Sequence, residues 1–267
     1  MTRDRPEQPG RLNLSDLSAK DLAALRRQVE ADGFDQPSAA RARVGRPAEL
    51  DVDRIVSTAV ALADRDGLAG ASLTKVAAAL HVTPMSLYRY VKSKDGLTDL
   101  MADAAYGPPR AVDSQWRPAL RGWADAQLDV FTRHPWLAQI PISGPPRGLN
   151  AIAWMDAGLA ALRDTPLSWG AKIGVITVLG GYVRQAFVTG RHLAERRLVE
   201  QFDEAESLRA YQREVSAQLD ADRFPEVARL FADQAFADVP PDEESAGADF
   251  AFGLDLILDG VAATIGR

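Results

Sequence analysis

An all-α fold is what this sequence predicts, and two observations predict it. Ala, Leu, Arg and Glu recur at helical spacing almost throughout the 267 residues, while β-branched residues alternate convincingly over no run at all. A hydrophobic share of 46% is enough to build a real core in a chain of this length. Cysteine is absent, which removes a disulfide framework, a thiolate zinc site and a cysteine nucleophile together, and fits a reducing compartment. No stretch of about 18 residues is both apolar and free of charge, and the first ten residues are polar and contain proline. The expected protein is therefore cytoplasmic, with no membrane partner.

Each element follows from its caps and its apolar stripe. Ser15 is placed to cap a short helix through Leu22, Leu25 and Val29, with Gly33 to stop it. Residues 36–48, carrying Pro37, Gly45 and Pro47, read as a linker, and Arg41, Arg43 and Arg46 make its end a basic arm. Residues 53–66 form an amphipathic helix with Ile55, Val56, Ala59, Val60 and Ala63 facing inward and Gly67 at its end. Ser72 opens a shorter helix through Val76, Ala77 and Leu80. Thr83 is placed as an N-cap with Pro84 at the first helical position, which predicts a third helix running to about Val91. The two short helices, separated by His81-Val82, make a helix-turn-helix pattern. A fourth helix from about Lys94 through Leu97, Leu100 and Met101 leads to Gly107-Pro108-Pro109, a natural stop.

Beyond that stop the helices lengthen. Residues 118–133, 150–162 and 168–190 are apolar enough to be bundle helices, with Gly144-Pro145-Pro146 a loop between the first two. The third is nearly apolar all round from Trp169 to Val183 and is expected at the buried centre. Residues 193–219 are highly charged and expected on a surface. The last helix, about 248–265, presents Phe250, Phe252, Leu254, Leu256, Ile257, Leu258 and Val261. That is more apolar surface than one-sided packing uses, and a second subunit is the expected cover.

The net charge of −6 argues against a nucleic-acid partner only until it is divided along the chain. Residues 41–97 hold nine Lys/Arg against six Asp/Glu, hence +3, whereas residues 98–267 hold sixteen against twenty-four, hence −8. The basic part is the part with the helix-turn-helix pattern. A recognition helix needs small or polar residues at its start, aromatics to lie against sugar-phosphate or a thymine methyl, and cations at its end for phosphates. Thr83, Met85, Ser86, Tyr88, Arg89 and Tyr90 supply the first two kinds, and Lys92 and Lys94 the third. Leu73, Val76, Leu80, Leu87 and Val91 are the motif's own core. The basic arm has two readings, a minor-groove contact or a solvated linker.

Residues 72–97, and above all Leu87-Tyr88-Arg89-Tyr90-Val91-Lys92-Ser93-Lys94, closely resemble the DNA-binding domain of the tetracycline-repressor (TetR) family. The resemblance is strong over residues 51–101. It is weaker beyond, through Trp116, His134-Pro135-Trp136-Leu137 and Phe252-Gly253-Leu254-Asp255-Leu256-Ile257. It implies an N-terminal extension at 1–47, a three-helix DNA-binding domain at 48–100, and a helical ligand-binding and dimerisation domain at 101–267. It places Ser86, Arg89 and Tyr90 near bases, Tyr88 and Lys94 on phosphate, and Thr74 and Lys75 on the DNA backbone. One departure is His81, which stands where the family usually has glycine in the turn. A φ above zero there brings a small strain; a metal or pH role for this histidine is the alternative.

The resemblance also implies a helical cavity for a small-molecule effector in the C-terminal domain. Trp123, Gln127 and Phe131 share one helix face at spacings of four, and Trp154, Tyr182, Gln185 and Phe187 stand on neighbouring helices. Aromatics at that spacing also serve as plain core, whereas Gln127 and Gln185 each need a partner on an otherwise apolar face. Residues 139–147 contain no histidine of the kind with which tetracycline-binding members hold a magnesium chelate. Tetracycline is therefore not the expected ligand, and no metal or cofactor is expected. The implied function is that of a homodimeric regulator, a repressor released from a palindromic operator by a small molecule. An activator of the same fold is the alternative, and an enzyme or a pure interaction module are rivals. His81, His134 and His192 are scattered, and no His-Glu-x-x-His, Gly-x-Ser-x-Gly or phosphate-loop pattern accompanies them.

Overall fold

The computed structural model describes residues 50–111, 115–142, 144–200, 204–233 and 243–266, all within the unit Leu50–Arg267. The helix expected from Ser15 and the arm with Arg43 and Arg46 lie outside the described residues. Every regular element among the described residues is helical, so the chain is all-α.

Helix α1 (Val52–Asp66) begins where the Asp51 carboxylate accepts the Arg54 amide at 2.7 Å, and it buries Ile55, Val56, Ala59 and Ala63. A 3-10 turn (Leu68–Ala71) leads to α2 (Leu73–Ala79), capped by the Ser72 hydroxyl, and then to α3 (Pro84–Leu87), capped by Thr83 with Pro84 in its first turn. The expectation that this third helix reaches Val91 is corrected. The amides of Tyr90 and Val91 both donate to the Leu87 carbonyl, at 2.8 and 2.9 Å, so the ladder stops advancing and residues 88–90 form a turn. Helix α4 (Lys94–Tyr106) starts from Ser93, whose hydroxyl accepts the Gly96 amide at 2.9 Å, and ends at Gly107 with φ +58°.

The second half comprises α5 (Trp116–Arg133), a 3-10 turn (Pro135–Gln139), α6 (Leu149–Ala161), α7 (Trp169–Glu200), α8 (Glu204–Gln218), α9 (Pro225–Ala232) and α10 (Glu243–Ile265). Helix α5 packs on α6 and α7, and α7 in turn on α10. Leu120, Val130 and Phe131 of α5, Leu179 and Val183 of α7, and Leu254 and Leu258 of α10 fill the core between them. Arg117 and Arg121 reach from α5 to Asp255, and Arg117 also to Asp259 at 2.7 Å. These pairs are a third or more exposed and fix register more than they stabilise.

Three expectations for this half are corrected. Helix α7 does not stop at Gly190 but continues to Glu200. One glycine costs about 1 kcal/mol in a helix, and the good helix formers beyond it, with Arg191 paired to Glu195 at 2.6 Å, carry the helix on. Nor is α7 buried all round. Lys172, Ile176, Leu179 and Val183 line one buried face, while Trp169, at 70% exposed, and Val178, at 59%, stand outside it. The stretch Trp169–Arg196 is long and apolar enough to span a bilayer by length and composition, yet it carries Lys172 and Arg184 and packs against three other helices. Finally, α10 starts at Glu243 rather than near 248, and the separate short α9, opened by Pro225, went unpredicted.

Candidate functional site

The turn between α2 and α3 is built from backbone bonds. His81 takes φ +58°, the one positive φ outside glycine among the described residues. Its amide donates to the Ala78 carbonyl at 3.1 Å and that of Val82 to Ala77 at 2.9 Å, closing the end of α2 in a Schellman arrangement. The residue expected to be slightly strained is therefore the one that reverses the chain. Leu87 and Val91 are buried and anchor α3 from beneath. Above them Met85 is 74% exposed and Tyr88 48%, with Arg89, Tyr90, Lys92 and Lys94 also exposed. Thr74 and Lys75 are exposed on α2, where the Lys75 ammonium donates to the Ala69 carbonyl at 3.3 Å. Thr83 and Ser86 share a hydroxyl–hydroxyl bond of 2.9 Å, which fixes the first turn of α3. The result is a short exposed ridge of aromatic, guanidinium and ammonium groups on a rigid apolar base.

Two joints tie this part to the second half. The Asp103 carboxylate of α4 accepts the Ala151 amide at 2.9 Å and so caps α6, while Asn150 donates to the Asp103 carbonyl. A Cβ at Gly148 would collide with that carboxylate. The second joint is Asp64 on α1, whose Oδ1 accepts the Trp136 indole N–H at 2.6 Å and lies 2.7 Å from His134 Nδ1. Arg184 of α7 donates to the carbonyls of Ala138 and Ile140, so the Pro135–Gln139 turn is held by α1 on one side and α7 on the other.

Among the residues expected at an effector cavity, Trp123, Gln127, Phe131 and Trp154 come together. Trp123 donates to the Trp154 carbonyl, and Trp154 to that of Gly107, each at 2.9 Å. Phe131 stacks on Phe187 with centroids 5.6 Å apart, and Gln127 is only 7% exposed. A cleft of about 530 Å³ opens beside Trp123 and Trp154, between Arg110, Gly122 and Asp125. Burial raises the Asp125 carboxyl pKa there, with Arg121 opposing and Asp129 adding to the rise. A smaller cleft of about 330 Å³ lies beside the first turn of α5, between Trp116, Arg117 and Asp164.

Tyr182 and Gln185 are engaged elsewhere. The Tyr182 hydroxyl donates to the Phe250 carbonyl at 2.8 Å with its ring stacked on Phe250, and Gln185 is exposed and bonds Thr189. Sequence reasoning missed Tyr106, the last residue of α4, whose ring stands edge-on to both Phe131 and Trp154. Its signal was faint: an aromatic beside the Gly-Pro-Pro stop.

The family model of bacterial regulatory proteins, tetR family, matches residues 55–101, and that of the tetracyclin repressor-like C-terminal domain matches residues 108–265. The HTH-type transcriptional repressor DrrR1 of Streptomyces coeruleorubidus is 34% identical over 225 residues, covering 82% of this chain and 79% of its own. An HTH-type transcriptional regulator of Saccharopolyspora erythraea is 34% identical over 221 residues, covering 81% of this chain and 86% of its own. The Streptomyces coelicolor TetR family protein ActR in complex with actinorhodin superposes with a TM-score of 0.66 at 26% identity, over 82% of this chain and all of that one. Regulators of this family act by binding DNA and small molecules as dimers, which removes the enzyme reading. With an exposed ridge on a helix-turn-helix, a helical second half and matches across both, the chain belongs to the tetR family of ligand-responsive bacterial transcription regulators.

Proposed function

We propose that the protein is a repressor that occupies a palindromic operator as a homodimer and leaves it when a flat, partly apolar effector binds in the second half. The observation that carries the proposal is the ridge of Met85, Tyr88, Arg89 and Tyr90 above buried Leu87 and Val91. In this reading residues 48–100 are the DNA-binding domain. Ser86, Arg89 and Tyr90 read base edges with Thr83 and Met85 beside them. Tyr88, Lys92 and Lys94 hold phosphates, and Thr74 and Lys75 contact the backbone from α2. Arg43 and Arg46 add minor-groove contacts.

Residues 101–267 bind the effector and dimerise. Trp123, Gln127, Phe131 and Trp154 form the effector wall. Tyr182 and Gln185 take part only if the helices around them shift, because both are engaged without an effector. A polycyclic aromatic effector is supported by the aromatic wall and by the actinorhodin complex of ActR. Phe252, at 67% exposed, and Leu256, at 58%, lie on the face of α10 that the second subunit covers. Location in the cytoplasm, on the nucleoid when DNA is bound, follows from that role.

The test is to select bound fragments from genomic DNA with the purified protein and to titrate the recovered operator. An inverted repeat is the expected product. Tyr88→Ala and Lys94→Ala should each weaken binding about tenfold, with Lys94→Ala also reducing the slope of log affinity against log salt by about one. Wild-type affinity in either variant would remove that residue from the interface, and recovery of no common sequence would contradict the regulator reading.

A further inference from the structure

The helical period divides the exposed ridge into a crest and two flanks. Leu87 and Val91, four residues apart, are buried and form the underside. Met85 and Arg89, also four apart, are each offset by two residues from that pair. At about 100° per residue they stand roughly opposite the underside, and Ser86, Tyr88 and Tyr90 fall between, on the flanks. Exposure follows the same order, with Met85 at 74% against 48% for Tyr88 and 36% for Tyr90. Although α3 ends at Leu87, the helical sense holds to Val91. The Val91 amide donates to the Leu87 carbonyl at 2.9 Å, and Tyr88 keeps φ −62° and ψ −17°.

A rod laid in a major groove turns its crest to the base edges on the floor and its flanks to the sugar-phosphate walls. Where a flank hydroxyl reaches a base it discriminates little, because it both donates and accepts. Those of Thr83 and Ser86 already bond each other at 2.9 Å. Base identity therefore falls to the crest. The Arg89 guanidinium is exposed and makes no hydrogen bond or ion pair with any described residue, whereas Arg65 is held by Asp66 and Arg110 by Asp129. It offers donors only, in a planar fork, and the base edge with two adjacent acceptors in that groove is guanine's O6 and N7. Met85 is apolar and flexible, and the apolar group in the groove is the thymine methyl. Four helical residues rise about 6 Å, a little under two base-pair steps of about 3.4 Å.

We propose that the crest sets the operator sequence: in each half-site Arg89 bonds O6 and N7 of a guanine, and Met85 covers a thymine methyl about two base pairs from it. This rests on the regulator reading above. The experiment takes the operator recovered by selection and changes one position at a time in both half-sites. Each guanine is replaced by 7-deazaguanine, which lacks the N7 acceptor, and each thymine by uracil, which lacks the methyl. Binding of the full-length protein is read by anisotropy of the labelled duplex at one fixed salt concentration. Wild-type protein should lose affinity several-fold at one guanine and at one thymine. Arg89→Ala should bind more weakly overall, yet equally well with guanine or 7-deazaguanine at that position. Met85→Ala should likewise bind equally well with thymine or uracil.

Both variants should unfold at the wild-type temperature, because Met85 is mostly exposed and the Arg89 guanidinium bonds nothing in the fold. A drop of several degrees in either would make that residue a structural one and overturn its assignment. If Arg89→Ala weakens binding but keeps the 7-deazaguanine penalty, Arg89 lies on a phosphate and the guanine contact is overturned, while the regulator reading stands. A uracil penalty that survives in Met85→Ala overturns the thymine contact in the same way. Wild-type protein indifferent to every replacement would overturn both contacts. Recovery of no common sequence in the selection would overturn the regulator reading and this inference with it.

Discussion

His81 shows how one residue sets the geometry on which recognition depends. It occupies a left-handed conformation that costs an L-residue about 1–2 kcal/mol and costs glycine almost nothing, set against the roughly 0.5–1 kcal/mol of extra chain entropy that glycine loses on folding. His81→Gly should therefore raise the unfolding midpoint by about 2 °C and leave operator affinity unchanged. A lowered midpoint would mean that the imidazole makes contacts the backbone argument ignores. This residue was legible in the sequence because its role is local, and so were Thr83 and Pro84, whose cap and first-turn positions need only the next few residues. Tyr106 was not legible. Its place in the aromatic cluster is fixed by Phe131 and Trp154, which come from distant parts of the chain.

At the scale of elements, the joint between α4 and α6 is the most exacting contact between the two halves. The Asp103 carboxylate lies against Gly148 and accepts the Ala151 amide, so one side chain from α4 supplies the N-terminal charge that α6 lacks locally. Asp103→Ala should lower stability by about 1 kcal/mol in urea unfolding, and Gly148→Ala should do the same by displacing the carboxylate. Wild-type stability in both variants would show that α6 is held by its apolar face alone. Helix starts were readable wherever a cap is local, as at Ser72, Thr83 and Lys94. Helix ends were less so. The end of α3 depends on two amides sharing the Leu87 carbonyl, and the passage of α7 through Gly190 depends on helix formers that outweigh one glycine. Composition also overstated the burial of α7: an apolar sequence all round fits a buried helix and equally a helix with one face left for another chain.

For the whole molecule, the division of charge into a basic part at residues 41–97 and an acidic remainder at residues 98–267 supports the proposal that DNA contact lies at the basic part. One short ridge reads only a few base pairs, and specific occupancy of a genome needs more than that. In the proposed dimer, the exposed apolar faces of α7 and α10 are the surfaces through which a second copy brings the second ridge and fixes the distance between the two. The most direct measurement is sedimentation of the protein on the selected operator, compared with an operator carrying about five extra base pairs between its half-sites, half a helical turn. Two chains on each duplex, and loss of tight binding on the lengthened one, are the predicted results. A single chain per duplex, or equal affinity for both spacings, would contradict the paired-ridge mechanism.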